Sequence, residues 1–268
     1  MVHVIRIDDP ADARLADYRL VRERDLVGRQ GGFIAEGVVV LEKALRAGRH
    51  PLRSLLVAEK RVEALASLFA QLGSNVPVYA ASQAVMDTVV GFPIHRGVLA
   101  TGIRAEPSVD DLLRSLPRRA LVVGLIGIAN HDNMGGLFRN AAAFGADAVL
   151  LDDGCCDPLY RKAIRVSVGA ALTIPFARAG EAGSMAARLA ASEFSLVALS
   201  PGGMTDLADL KPSPRTAVLF GAEGPGLPDA VMAQAQTVRI AMAGGFDSLN
   251  VATSSGVVLH HLTAKRGQ

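Results

Sequence analysis

The sequence predicts an α/β fold organised around a parallel sheet, and three observations lead to this prediction. Half of the 268 residues are hydrophobic and 20% are charged, which excludes a chain that is disordered throughout. Short apolar runs alternate with stretches of helical spacing along most of the chain. The run Leu121-Val-Val-Gly-Leu-Ile126 is continuously apolar, as in a strand that is buried on both faces of a parallel sheet.

Residues 1–103 predict a smaller α/β domain. Residues 11–30 are rich in charge and indicate one or two exposed helices. The predicted strands lie at 33–35, 52–58, 76–80 and 98–103, and the predicted helices at 38–47, 61–72 and 82–90, with Ser82 as a helix cap. Residues 104–119 have the composition of a charged linker with a short helix, so we place a domain boundary there.

Residues 120–268 predict a larger domain in which strands and helices alternate. The predicted strands lie at 121–126, 148–151, 173–176, 195–199, 217–220 and 237–240. The predicted helices lie at 135–144, 159–171, 183–192, 228–235 and 249–263. Alternation at this spacing is typical of a doubly wound sheet.

Composition and cysteine usage exclude several classes of protein. A formal net charge of +2 is too small for a strongly basic nucleic-acid coat. Cys155 and Cys156 are adjacent, so we expect reduced thiols and no structural zinc site. The start of the chain lacks the apolar stretch of a signal peptide, and the longest apolar run, 120–129, is about half of a membrane span. We therefore expect a soluble cytoplasmic protein without membrane contact or a metal.

The familiar nucleotide and hydrolase motifs do not occur in the sequence. Without G-x-x-x-x-G-K-[ST], a P-loop nucleotidase is disfavoured, and no G-x-G-x-x-G follows the first strand of the larger domain. No H-E-x-x-H pair indicates a zinc enzyme, and no G-x-S-x-G turn indicates an α/β-hydrolase. The chemistry must therefore come from other loops.

The first of three polar loops follows the strand at 121–126 and carries Asn130, Asn133, Gly135 and Arg139. In wound sheets, ligands bind beyond the carboxyl ends of the strands. If the helix begins near Gly135, Arg139 lies one turn inside it, where the helix dipole disfavours a cation. An arginine that extends its charge to solvent is the simpler explanation of Arg139 taken singly, but the neighbouring Asn pair favours a functional role.

The second loop carries Gly221, Glu223, Gly224 and Gly226. Three glycines around one acidic residue allow the backbone to approach a ligand closely. A loop of this composition is a weak signal by itself, because generic turns also contain several glycines.

The third loop carries Ser248 and Asn250 and precedes a helix of small residues. Ser248 is a candidate helix N-cap, which would place Asn250 in the first turn. A close-packed terminal helix would explain this pattern equally well if the loop stood alone.

Together, the three loops resemble the motifs of the SpoU/TrmH family of RNA 2′-O-ribose methyltransferases, within the SPOUT superfamily. The first motif matches Asn130, Asn133, Gly135 and Arg139. The second matches Gly221, Glu223, Gly224, Gly226 and Leu227. The third matches Ser248, Leu249, Asn250 and Val251. Two departures are His131 and Ala241, where relatives often carry proline.

The resemblance covers residues 120–265 and implies a particular fold and cofactor. Members of this family have an α/β sheet with a deep trefoil knot and act as homodimers through the catalytic domain. The knotted loops would bind S-adenosylmethionine, held here by Gly221, Ile240, Met242 and Leu249. More weakly, residues 30–103 resemble the L30e-like substrate-binding domain of some relatives.

The resemblance also implies roles for the polar residues, with RNA as the partner. The family assigns proton removal to the arginine of the first motif, which is Arg139 here. A guanidinium is almost always protonated, so our hypothesis is that Arg139 clamps the neighbouring phosphate, orients the ribose hydroxyl, and accepts or relays its proton. Asn133, Ser248 and Asn250 would orient this arginine and the ribose, while Glu223 would anchor the loops. Candidate RNA contacts in the first domain are Arg22, Arg24, Arg29, Arg46, Arg49 and Arg53.

Two other functions remain open at this point. A non-catalytic RNA-binding protein could retain the same knotted fold, although retention of the motif residues disfavours it. A nucleotide-dependent oxidoreductase would need a phosphate-binding fingerprint that the sequence lacks. The sequence also leaves open tRNA or rRNA as the substrate, and housekeeping or antibiotic-resistance methylation as the role.

Overall fold

The computed structural model describes residues 4–19, 31–211, 213–243 and 248–264, and the chain divides into two compact units. The first unit contains Met1–Ala105 together with Leu159–Thr173, and the second contains Glu106–Pro158 together with Ile174–Gln268. The chain therefore leaves the second unit once and returns to the first, which no sequence signal predicts.

The strands and helices alternate along the chain as expected. The strands are β1 (Val4–Ile7), β2 (Gly32–Glu36), β3 (Leu52–Ala58), β4 (Val78–Ala81), β5 (Val98–Ile103), β6 (Ala120–Leu125), β7 (Ala148–Leu151), β8 (Phe176–Arg178), β9 (Ser195–Leu199), β10 (Thr205–Asp206), β11 (Arg215–Phe220) and β12 (Gln236–Arg239). The α-helices are α1 (Val38–Ala47), α2 (Ala66–Phe69), α3 (Gln83–Val90), α4 (Val109–Ser115), α5 (His131–Ala143), α6 (Arg161–Val166), α7 (Ala182–Ala191), α8 (Asp229–Met232) and α9 (Val251–Ala264).

The first unit contains a mixed five-stranded sheet in the order β1-β4-β3-β5-β2. β1, β4 and β3 are parallel, whereas β5 runs antiparallel to both β3 and β2. Leu15, Tyr18, Met86 and Ile94 are among the residues that pack over one face of this sheet. The Ser82 hydroxyl accepts the N–H of Val85, so the predicted helix cap is confirmed.

The second unit contains a seven-stranded sheet in which every neighbouring pair is parallel, in the order β10-β12-β9-β11-β6-β7-β8. This confirms the predicted parallel sheet. The six residues of β6 are all buried, as the continuously apolar run predicted. Helix α4 lies inside the predicted linker, and the Ser108 hydroxyl caps it by accepting the N–H of Asp111.

Several element predictions are wrong. The helix predicted at 159–171 is only the six-residue α6, and Ala170–Leu172 form a separate 3-10 turn. Within the segment predicted as exposed helices, Ala13–Tyr18 form a 3-10 turn that buries Leu15 and Tyr18. The predicted helix at 61–72 is replaced by short 3-10 turns and the single turn α2, which buries Leu68 and Phe69. The predicted strand at 173–176 begins three residues later as β8. Pro175 has no N–H to donate to a neighbouring strand, and regular pairing with β7 begins at Phe176.

Within the described residues, no helix is both long enough and apolar enough to cross a membrane. The same residues contain no group of three or more His, Cys, Asp or Glu side chains that could hold a metal ion.

Candidate functional site

The first polar loop connects β6 to α5, which begins four residues before the predicted start at Gly135. Asn130 is the N-cap, because its side-chain oxygen accepts the N–H groups of Asp132 at 2.7 Å and Asn133 at 3.4 Å. Arg139 consequently lies in the third turn of α5 and not in the first. The expectation that the helix dipole disfavours a cation at Arg139 is therefore wrong, since the dipole acts mainly on the terminal turn.

The neighbouring loop after β7 supports this first loop. The Asp152 carboxylate accepts the N–H of Gly127 at 2.9 Å, and the Cys156 N–H donates to the carbonyl of Ile128 at 2.8 Å. The Cys155 thiol lies between the Leu125 carbonyl and the Ile128 N–H. Burial raises the pKa of the Cys155 thiol to about 12, so it stays protonated and acts as a small packed donor.

The third loop is capped by Asn250, and the predicted cap at Ser248 is wrong. The Asn250 side-chain oxygen accepts the N–H groups of Ala252 at 3.0 Å and Thr253 at 3.2 Å, and α9 begins at Val251. Ser248 lies two residues outside this cap and is exposed. Its hydroxyl is therefore available to a ligand rather than used by the helix.

The Asn250 side chain also joins all three loops. Its amide nitrogen donates to Asn133 Oδ1 and to Glu223 Oε1, both at 2.8 Å. Asn133 is buried and comes from the first loop, whereas Glu223 is exposed and comes from the second. One amide group thus uses its acceptor for the helix and its donors for the two other loops.

The second loop is a tight turn that only glycine permits at key positions. Gly226 donates its N–H to the carbonyl of Ala222 at 3.0 Å, and Gly224 and Gly226 have φ values of 92° and 71°. A Cβ at Gly221 would collide with the backbone of Gly226. The turn therefore brings bare backbone to the edge of the site.

A cavity of about 450 Å³ lies beside these loops at the carboxyl end of the sheet. All four predicted cofactor residues line it: Gly221, Ile240, Met242 and Leu249. The predicted catalytic residues Glu223, Ser248 and Asn250 line it as well. Leu249 is 45% exposed, which is unusual for a leucine and leaves an apolar wall open to a ligand.

Arg139 does not line this cavity. It is exposed, and it makes no hydrogen bond or ion pair with another residue that the structure describes. It lies six positions after Asn133, which places it roughly 9 Å farther along the axis of α5. The structure thus brings together the other predicted catalytic residues and leaves Arg139 facing solvent.

Among the cavity-lining residues that sequence reasoning missed are Ser200, Pro201 and Ser254. The first two belong to the loop after β9, whose Ser-Pro-Gly-Gly sequence is a turn signal at a strand end. Ser254 lies one turn inside α9, and only the helix start at Val251 reveals that it faces the cavity.

The structure describes three of the six arginines predicted to contact RNA. Arg22, Arg24 and Arg29 lie outside the described residues. Arg46 is exposed, while Arg49 donates to the carbonyl of Thr173 at 2.6 Å and Arg53 lies 3.7 Å from the Asp17 carboxylate.

Comparison with known proteins agrees with this geometry. Residues 120–260 match the model of the SpoU rRNA Methylase family. A protein of Mycobacterium bovis and one of Mycobacterium tuberculosis H37Rv, each described as an uncharacterized tRNA/rRNA methyltransferase, are 40% identical over 265 residues; these cover 95% of this chain and 90% of each relative.

Two solved structures show the same fold across both units. A crystal structure of an RNA 2′-O ribose methyltransferase is 27% identical and superposes with a TM-score of 0.79, covering 98% of this chain and 100% of that one. The AdoMet-bound rRNA methyltransferase of Sinorhizobium meliloti superposes with a TM-score of 0.82 at 24% identity, covering 98% of both chains. With its first motif hydrogen-bonded to the third, its second and third motifs lining one cavity, and this matched family model, the chain belongs to the SpoU rRNA methylase family of RNA methyltransferases.

Proposed function

We propose that this protein transfers a methyl group from S-adenosylmethionine to a ribose 2′-hydroxyl of tRNA or rRNA. The observation that carries the proposal is the Asn250 amide, which holds Asn133 and Glu223 together at the cavity. A solved RNA 2′-O ribose methyltransferase of the same fold, 27% identical, supports the ribose hydroxyl as the acceptor.

The residues around the cavity fit the cofactor. A volume of about 450 Å³ falls within the range typical of small-molecule sites, roughly 300–1,000 Å³. Leu199, Ile240 and Leu249 provide apolar surface for an adenine ring, and the bare backbone at Gly221 leaves its edge accessible. When bound, S-adenosylmethionine supplies a methyl group on a positively charged sulfur. The Glu223 carboxylate at the rim has the charge that favours this cation.

The polar residues of the site would act mainly by position. Asn250 and Asn133 hold each other through a hydrogen bond, and the Ser248 hydroxyl and Asn250 lie where a ribose could be held. In this proposal Arg139 binds the phosphate next to the target ribose, because its exposed guanidinium has no described ion-pair partner. A planar guanidinium binds phosphate through two parallel hydrogen bonds, which would orient the 2′-hydroxyl for attack.

We further propose that the protein acts as a homodimer through its second unit. Val257 on α9 is 43% exposed and Met204 is 86% exposed, so this unit presents apolar surface that a second copy could cover. Light scattering on the purified protein tests this point, and a mass of one chain at micromolar concentration contradicts it.

The decisive experiment combines cofactor binding with product identification. Calorimetry should show binding of S-adenosylmethionine, and total RNA from a deletion strain should accept its methyl group. Nuclease digestion and mass spectrometry should then detect one 2′-O-methylated nucleotide, and a 2′-deoxy substitution at that position should abolish transfer. RNA binding without cofactor binding would instead identify a non-catalytic RNA-binding protein, and methylation of a base would reject the ribose as acceptor.

A further inference from the structure

An exposed aromatic ring in the first unit carries a cation on its surface. Phe92 lies between α3 and β5 and is 37% exposed. The guanidinium carbon of Arg161, the first residue of α6, lies 4.4 Å from the centre of this ring. Phe92 and Arg161 are 69 positions apart in sequence, so only the return of residues 159–173 to this unit creates the pair.

Hydrogen bonds from two side chains of α3 hold the loop that carries Phe92. The Asp87 carboxylate accepts the N–H of Ile94 at 2.8 Å, and the Gln83 amide donates to the carbonyl of Ile94 at 2.9 Å and to Asp87 at the same distance. The Ile94 side chain is buried in the core of the unit. Phe92 is therefore displayed to solvent by a rigid loop, and the entropy cost of ordering it on binding is small.

Further basic side chains lie in the loop that carries this ring and in the segment that contacts the loop. His95 and Arg96 follow Phe92 in the same loop and are exposed. Arg61 donates to the carbonyl of Arg96. The hydrogen bonds from Ile94 and Gln83 lower the pKa of Asp87, and the charges of His95 and Lys60 lower it further, which places these two side chains near that carboxylate. Asp87 keeps its negative charge, Glu63 is exposed nearby, and Glu59 is paired with Arg6 at 3.2 Å. Lys60, Arg61, Arg96 and Arg161 outnumber these acids, so the surface keeps a positive balance.

We propose that this surface, the Phe92 platform, stacks an unpaired base of the substrate RNA. The platform comprises Phe92 and Arg161 with the basic side chains Lys60, Arg61, His95 and Arg96. The inference rests on the proposed function only in taking RNA as the ligand. Aromatic rings and guanidinium planes both stack on unpaired bases, and nearby cations hold the adjoining phosphates. Because paired bases in a helix are already stacked, the platform would select single-stranded loops.

A fluorescent RNA tests the proposal directly. A stem-loop with 2-aminopurine at one loop position would be titrated with the whole protein, with 2-aminopurine moved through each loop position in turn. At one position the wild type should quench the fluorescence, because the base stacks on the ring. Phe92→Ala should remove this quenching and raise the Kd by about 5- to 150-fold, as expected for one stacked base.

Matched variants separate stacking from apolar contact and from misfolding. Phe92→Tyr should retain binding and quenching, whereas Phe92→Leu should lose the quenching although it stays apolar. Ile103→Ala is the control for loss of an exposed apolar side chain. Ile103 is 39% exposed and lies at the end of β5 farther from Phe92 in sequence, so its loss should leave RNA binding unchanged. Arg96→Gln should weaken binding and reduce the slope of log Kd against log salt by about one. Circular dichroism of each variant checks that the fold is kept.

The outcomes also separate this proposal from the proposed function. An unchanged Kd for Phe92→Ala, or equal quenching by the Leu variant, would overturn the platform even if the wild type methylates RNA. Quenching that depends on Phe92 would support the platform even if no methyl transfer occurs. In the methylation assay we expect Phe92→Ala to raise the KM for RNA and to leave kcat and the Kd for S-adenosylmethionine unchanged.

Discussion

At the scale of single residues, Asn250 does most to assemble the site. Its side-chain oxygen caps α9, and its nitrogen binds Asn133 and Glu223. A carboxylate has the same shape and caps helices equally well, but it cannot donate. Replacing this one residue therefore separates the helix cap from the connection between the loops.

We expect Asn250→Asp to keep its fold and lose activity. The new carboxylate would face Glu223 and the Asn133 oxygen without a donor, and two hydrogen bonds at about 1–2 kcal/mol each predict a loss of roughly 30- to 10³-fold in kcat/KM. Circular dichroism should show only a small change in the melting temperature. Asn75→Asp, an identical change at an exposed turn, is the control, and near-normal activity in Asn250→Asp would refute the role of this amide.

Arg139 provides a second test at this scale. Arg139→Lys keeps the positive charge but removes the planar pair of donors, so we expect methyl transfer to fall by at least about tenfold. The Kd for S-adenosylmethionine should stay unchanged, because Arg139 does not line the cavity. Near-normal turnover with RNA would contradict the phosphate clamp.

His50 links stability to pH. Burial, with help from the charges of Arg104 and Arg49, lowers the pKa of His50 from 6.5 to about 4. The unfolded chain therefore binds a proton at higher pH than the folded chain, and stability should be lost as the pH falls from 6.5 to 4, by on the order of 3 kcal/mol. His50→Asn keeps an acceptor for the N–H of Ala105 and should flatten this pH dependence in urea unfolding. An equal slope in both proteins would exclude His50 as its source.

At the scale of elements, the contact between α5 and α9 holds the first and third loops in register. Asn140 donates to the carbonyl of Ala252 at 2.6 Å and to the Ser255 hydroxyl at 2.9 Å. A Cβ at Gly136 would lie 2.7 Å from the Cβ of Ala252. The two helices thus approach more closely than any side chain at this position allows, which keeps Asn133 within reach of Asn250.

We expect Gly136→Ala to destabilise the protein by about 1–3 kcal/mol, because the extra methyl group forces α5 and α9 apart. Activity should fall further than stability, since the Asn133 to Asn250 hydrogen bond lengthens. Adding Ala252→Gly should restore both. Gly183→Ala is the matched control, because a Cβ there meets nothing within 4 Å and alanine favours the helix. If the double variant regains neither stability nor activity, the contact between Gly136 and Ala252 is not the cause of the defect.

At the scale of the whole molecule, the chain passes between the two units three times. In the first unit, Lys43 donates to the carbonyl of Val168 at 2.8 Å, and a Cβ at Gly169 would lie 3.3 Å from the Cα of Val40. Residues 159–173 are therefore part of the first unit, while both of their ends continue into the second. Unfolding of either unit would pull on this segment.

We consequently expect one cooperative thermal transition and not two. In scanning calorimetry, the ratio of calorimetric to van't Hoff enthalpy should lie near one, and hydrogen exchange of β2 and β7 should report the same opening free energy. Two resolved transitions would show that the shared segment does not couple the units.

Much of the local structure was predictable, and the reason is physical. β3, β5, β7, β9 and α1 match their predicted bounds, because buried apolar runs with glycine or polar stops are local signals. β1 was not predicted, since four residues at the start of the chain pair only with the distant β4. The trefoil knot, the L30e-like character of the first unit and the domain limits stay predictions.

The candidate site divides in the same way. The sequence by itself determined which residues form the three motifs, because residue types and spacings within a loop are local and the family resemblance depends on them. Only the tertiary structure decided that Asn250 and not Ser248 caps α9, that Arg139 faces solvent, and that Arg161 lies over Phe92. Each of these depends on where a helix begins or on which distant segment packs beside it, and such long-range packing leaves no pattern within one short stretch of sequence.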